Sequence, residues 1–146
     1  MDSEDSAQVS GPRQDHVPKE TFDGALNWFN KVTDEAYYKT GYTSKGDTGA
    51  RLQEAMGKFQ STEAMTAVAV ISRIFLLGTK ATNRPEILGG GNLLRRNPPK
   101  WDVKGGTIDM YYWYFGTLSM YHLGRSYWKS WCSHLKNALV PTQRCD

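Results

Sequence analysis

Residues 109–124, DMYYWYFGTLSMYHLG, place five aromatic side chains in succession, Tyr111 to Phe115, in a chain whose mean hydropathy is −0.59. Wound as an α-helix, the stretch has no polar side. Tyr111, Tyr114, Phe115, Leu118 and His122 share one face, Tyr112, Ser119 and Leu123 a second, and Trp113, Gly116 and Met120 a third. A helix that is apolar all round is covered by neighbours on most sides, so at least two of these faces must be buried. Asp109 lies where an acid suits the positive end of the helix dipole, and Gly124 is placed to stop the helix.

The flanking segments fit such a helix. Beyond Gly124 and Arg125, with Ser126 as the cap, Tyr127, Trp128, Trp131, Leu135, Ala138 and Leu139 recur on one face. Lys129, Ser130, Ser133, Lys136 and Asn137 fill the other, until Pro141 ends the pattern. This is an amphipathic outer helix, and its two-residue link to the aromatic helix makes an antiparallel hairpin.

Upstream, AMTAVAVISRIFLLG, residues 64–78, is the most apolar run in the chain. It is too short to span a bilayer and contains Arg73, which makes it a buried helix, capped by Ser61 or Thr62 and stopped at Gly78. An amphipathic helix follows from Pro85 toward Pro98. Its glycines 89–91 either admit close packing or break the segment, and with no strand before them they do not form a phosphate loop.

The order apolar helix, amphipathic helix thus occurs twice, with Leu77-Gly78 and Leu123-Gly124 at the same offset. A period of this size indicates an array of helical repeats. The fold class is all-α, with residues 62–77 and 109–123 side by side and roughly parallel and residues 127–140 packed outside.

Residues 1–20 are polar, with two prolines and no periodicity, and read as a disordered leader; residues 21–146 form the domain. From Thr21, Phe22, Ala25, Leu26, Phe29 and Val32 recur at helical spacing, and Trp28 widens that face. Residues 37–57, rich in Gly, Thr and Lys, form a long connection with a short helix around residues 50–56, either functional or partly disordered.

The 146 residues suit one domain of 16.5 kDa. The net charge of +3 is uneven, since the first twenty residues hold five acids and two bases. The bases beyond them are dispersed apart from Arg95 and Arg96, which argues against nucleic acid. Cys132 and Cys145 form no CxxC pair, and with only His134 nearby they lack the ligands of a zinc site, so no metal and no cofactor is expected. The amino terminus has no apolar signal segment, which points to a soluble, cytoplasmic protein with no membrane span.

The stretch YYWYFGTLSMYHLGRSYWKSWCSHLKNALVPTQ, residues 111–143, resembles the repeats of the α/α-toroid superfamily. These are the terpenoid cyclases, the squalene–hopene cyclases, the protein prenyltransferase β subunits and bacterial proteins with the prenyltransferase and squalene oxidase repeat. ALNWFNKVTDEAYYKTGYTSKGD, residues 25–47, is similar to another part of the same proteins. The resemblance implies antiparallel helical hairpins arranged as an incomplete α/α toroid. In the family's QW motif an apolar residue precedes a Gln by four positions, and Leu139 and Gln143 match that half. The Gly-x-Trp half has no counterpart, which implies a fragment of a longer ring with its C-terminal repeat truncated.

The resemblance does not carry a reaction with it. The acidic DxDD motif of squalene–hopene cyclases is absent, and the Asp, Cys and His zinc ligands of prenyltransferases do not map onto Asp109, Cys132 and His134. Two functional classes follow. The first is a non-catalytic or incomplete scaffold that binds an isoprenoid, another apolar ligand or a protein partner. The alternative is a cyclase or prenyltransferase-type enzyme in which ring faces stabilise a carbocation and Asp109 is the acid. In either case the cavity or ligand-binding candidates are Tyr111, Tyr112, Trp113, Tyr114 and His122.

Overall fold

The computed structural model describes residues 17–47 and 62–144. It contains five α-helices: α1 (Lys19–Val32), α2 (Ala64–Leu77), α3 (Pro85–Arg96), α4 (Met110–Leu123) and α5 (Arg125–Leu139). Two short 3-10 segments, Thr79–Asn83 and Val140–Thr142, follow α2 and α5, and among the described residues there is no strand. The all-α expectation therefore holds. The short helix expected around residues 50–56 lies outside the described residues, as do Ser61 and most of the leader.

α2 and α4 are the packing axis. Both have 14 residues, both end in leucine, and α4 begins and ends 46 positions after α2. Gly78 (φ 82°) and Gly124 (φ 66°) close them with positive φ and extended ψ, a conformation that a Cβ makes costly. Three contacts advance in the same direction along the two helices: Thr62 Oγ1 donates to Asp109 Oδ2 (2.6 Å), Ser119 Oγ donates to the Ala67 carbonyl (2.8 Å), and Phe75 meets His122 edge to face (5.3 Å). α1 and α3 pack on α2, and α3 and α5 pack on α4.

The glycines of α3 explain how three neighbours reach one helix. A Cβ at Gly89 would enter the ring of Tyr38, one at Gly90 would enter Val70 of α2, and one at Gly91 would enter Leu123 of α4. The triplet is therefore a packing device, and the helix runs unbroken through it. Gly116 of α4 likewise lies under the indole of Trp131, whose Nε1 donates to Thr117 Oγ1 at 3.0 Å. Ala67, Leu94, Tyr112, Trp113, Met120, Trp131 and Ala138 make the larger core cluster. Val70, Ile74 and Ile87 make a second, and Leu123 packs against both.

Several boundaries differ from the sequence expectations. α1 starts at Lys19 rather than Thr21, and only Phe29 and Val32 of its apolar face are buried. Glu63, not Ser61 or Thr62, occupies the N-cap position of α2, and the Thr62 hydroxyl donates instead to Asp109. Gly124 takes the N-cap position of α5, so the link from α4 is a single residue and Ser126 lies inside the helix. The described part of the expected long connection, residues 37–47, and the turn that leads into it are fastened by side-chain hydrogen bonds. Asp34 Oδ1 accepts the N–H groups of Ala36 and Tyr37, and Thr40 N–H donates to Thr66 Oγ1 (3.0 Å) on α2. Asp47 accepts the N–H groups of Tyr42, Thr43 and Ser44.

Candidate functional site

The ring-rich helix α4 buries two of its three faces. Tyr112 and Ser119 are buried, as are Trp113, Gly116 and Met120. The remaining face is open: Tyr111 is 56% exposed, Tyr114 62% and Tyr121 60%, with Phe115, Leu118 and His122 half-buried beside them. These positions recur at the three- and four-residue spacing that makes a single stripe on a helix. The stripe continues onto α2, where Phe75 is 65% exposed and lies edge to face against His122, with half-buried Val68 and Ser72 on the preceding turns.

Ring contacts group at the two ends of the stripe. Tyr111 and Tyr114 pack on Phe115 at centroid distances of 4.7 and 5.1 Å, and Tyr121 packs on His122 at 5.6 Å. Exposed apolar residues scattered singly are ordinary, but a contiguous aromatic stripe across two helices is the kind of surface that receives a partner. Of the five expected cavity residues, Tyr111, Tyr114 and His122 are on it. Tyr112 and Trp113 are not; they point into the core, where Tyr112 packs edge to face on Trp131 (5.7 Å) and Trp113 lies against Trp101 (6.2 Å). Phe75 and Tyr121 belong to the stripe although the sequence does not single them out as candidates. Phe75 is masked in sequence by the uniform hydrophobicity of its helix.

Asp109 is at the opposite end of α4 from His122 and serves that helix. It occupies the N-cap position, where its Oδ1 accepts the N–H of Tyr112 (2.9 Å) and its Oδ2 accepts the Thr62 hydroxyl. Close by, Thr62, Glu63, Asn97, Pro98, Lys100, Thr107, Tyr112 and Trp113 line a cleft of about 160 Å³. The Tyr112 hydroxyl donates to the Asn97 carbonyl (2.6 Å). Burial, and then the charges of Glu63 and Asp109, push its pKa well above the ordinary phenol range, so it remains neutral. No group of three His, Cys, Asp or Glu among the described residues could hold a metal ion.

A second polar feature lies between α1, α2 and α3. Arg73, set in the middle of the apolar helix α2, is only 2% exposed. Its Nη2 donates to Asn30 Oδ1 (3.3 Å) and Thr33 Oγ1 (3.0 Å), its guanidinium lies over the Phe29 ring (5.6 Å), and its Nε–H has no acceptor among the described residues. No carboxylate of the described residues is within ion-pair distance. Burial lowers its pKa, opposed by the negative charge of Glu86. A lone arginine in a run of fourteen otherwise uncharged residues is the sequence signal for this site; read from sequence alone, it argues only against a membrane span.

No family model, curated protein or solved structure compared with the chain matches it. No helix among the described residues is long and apolar enough to cross a membrane.

Proposed function

We propose that this chain is a squalene cyclase- and prenyltransferase-like α/α-toroid repeat protein that binds an apolar ligand of the isoprenoid class and supplies no chemistry of its own. In this assignment α2 and α4 are neighbouring inner helices and α3 and α5 are the outer helices of two successive hairpins. The same-direction contacts of α2 with α4, and their equal lengths at a constant offset, support that placement.

The observation that carries the function is the exposed aromatic stripe of Phe75, Tyr111, Tyr114 and Tyr121. It is the surface that would line a toroid's interior. Covering apolar area is worth roughly 25 cal/mol per Å², so even part of such a stripe supplies several kcal/mol to a flexible hydrocarbon chain. The candidate acid, by contrast, is bound up as a helix cap at one end of the stripe, which favours a binding role over protonation of an alkene.

Equilibrium binding of squalene, farnesyl diphosphate and geranylgeranyl diphosphate, with mass spectrometry of the recovered ligand, tests the assignment. Binding of at least one of them without conversion is expected, weakened about tenfold or more in Phe75→Ala combined with Tyr114→Ala, a loss of roughly 1.4 kcal/mol. A cyclised or transferred product would replace the binding function with an enzymatic one. Failure of all three to bind would overturn it and leave the stripe as a protein-contact surface.

A further inference from the structure

The geometry points to a second site, centred on Arg73, for a small molecule carrying one carboxylate. Two clefts, of about 400 and 370 Å³, are both lined by Arg73 and share Asn30 and Glu86 as walls. The first is lined in addition by Asp23, Leu26, Asn27, Leu77 and Arg84. Its other charges are already matched locally, Arg84 with Glu86 (2.6 Å) and Asp23 with Lys19 (2.6 Å), and no carboxylate of the described residues forms an ion pair with Arg73, which feels the charge of Glu86 only from a longer distance. In the second cleft Glu35 is matched by Lys45 (3.1 Å) and Asp34 by the N–H groups of its own turn.

Buried charges in proteins are almost always paired, because removing the counter-charge leaves the desolvation cost uncompensated. Arg73 has hydrogen bonds to two neutral oxygens, an N–H without an acceptor among the described residues, and two adjoining clefts. A planar carboxylate is the anion whose shape suits a guanidinium. The acids in the walls, Glu86 and Asp23, repel a phosphate dianion more than a monoanion. Leu26 and Leu77 offer apolar contact to a short hydrocarbon body.

The test uses butyrate on the whole chain, with chloride at matched ionic strength as the control. A ligand that binds only the folded state raises the melting temperature in proportion to the logarithm of its concentration. Butyrate is expected to raise it by about 3 °C or more over chloride and to move the Arg73 Nε–H resonance. Asn30→Asp places a carboxylate where the amide oxygen now accepts from Arg73. It is expected to raise the melting temperature without added anion and to abolish the response to butyrate. Arg73→Met removes the charge and should abolish the response too; if that variant does not fold, Asn30→Asp still decides. Equal melting in butyrate and chloride, or a butyrate response that survives Asn30→Asp, overturns the site. A response to phosphate as large as that to butyrate overturns the carboxylate assignment.

Discussion

Glycine at two helical positions of this protein has opposite meanings, and the difference is set by what surrounds each Cα. Gly24 is in the middle of α1, where a Cβ would meet nothing within 4 Å, whereas a Cβ at Gly90 would lie 2.5 Å from Val70 Cγ2. Helix propensity alone favours alanine at both by about 0.5–1 kcal/mol. Gly24→Ala is expected to realise that gain. Gly90→Ala must push α3 away from α2, and overpacking of a buried contact costs about 1–3 kcal/mol, so it is expected to be net destabilising. Urea midpoints at unchanged m-value would check both. Equal effects at the two sites would mean that the close approach of α3 to α2 is not what the glycine serves. Tyr38 belongs to the same junction: its φ of 58°, uncommon for a tyrosine, accompanies a ring seated on Gly89.

Helices were the legible part of this chain because hydrophobic period and punctuation agreed: Pro85 opens α3, and Gly78 and Gly124 close α2 and α4. The three faces of α4 were also readable, and two of them are buried. Which face stays open was not readable, since Tyr111, Tyr112, Trp113 and Tyr114 are chemically alike and only the positions of α2, α3 and α5 separate exposed from buried. The partnership of Thr62 with Asp109 was equally hidden, joining residues 47 apart in sequence. It gives Asp109 a structural duty at the element scale. Asp109→Ala removes the cap of α4 and its link to the head of α2, and is expected to cost about 1–2 kcal/mol. Asp109→Asn keeps an acceptor for the Tyr112 N–H and should retain most of the stability, with binding to the aromatic stripe unchanged. A loss of ligand binding in Asp109→Asn at intact stability would instead place this carboxylate in the site.

At the scale of the whole molecule, the apolar faces of the five described helices are unequally used. α1 leaves Phe22 and Trp28 in solvent, and α2 and α4 leave their shared stripe open, so stability leans on polar fastenings between the helices as well as on the core. Local polar contacts add to these, and three of them involve carboxylates, in two turns and at the start of α3, whose pKa lies below its ordinary value. The Thr43 hydroxyl, with the N–H groups of Tyr42, Thr43 and Ser44, holds Asp47 well below the carboxylate range, and the Gly105 N–H lowers Asp102. For Glu86 partial burial pulls upward, but its own N–H and Arg84 outweigh it. A carboxylate with a lowered pKa in the folded chain binds protons more weakly there than in the unfolded chain. Its contribution is therefore complete above the unfolded pKa, about 3.9 for Asp and 4.3 for Glu, and is lost as the pH falls through and below those values. Melting temperature is accordingly expected to begin falling near pH 4.5, as the first of these groups starts to protonate in the unfolded chain, and to keep falling toward pH 2.5. Asp47→Asn should lower stability at neutral pH, because one amide oxygen replaces two carboxylate oxygens, and should make the acid slope shallower. An acid slope unchanged by Asp47→Asn would mean that the turn at residues 41–47 opens without affecting the helices it adjoins.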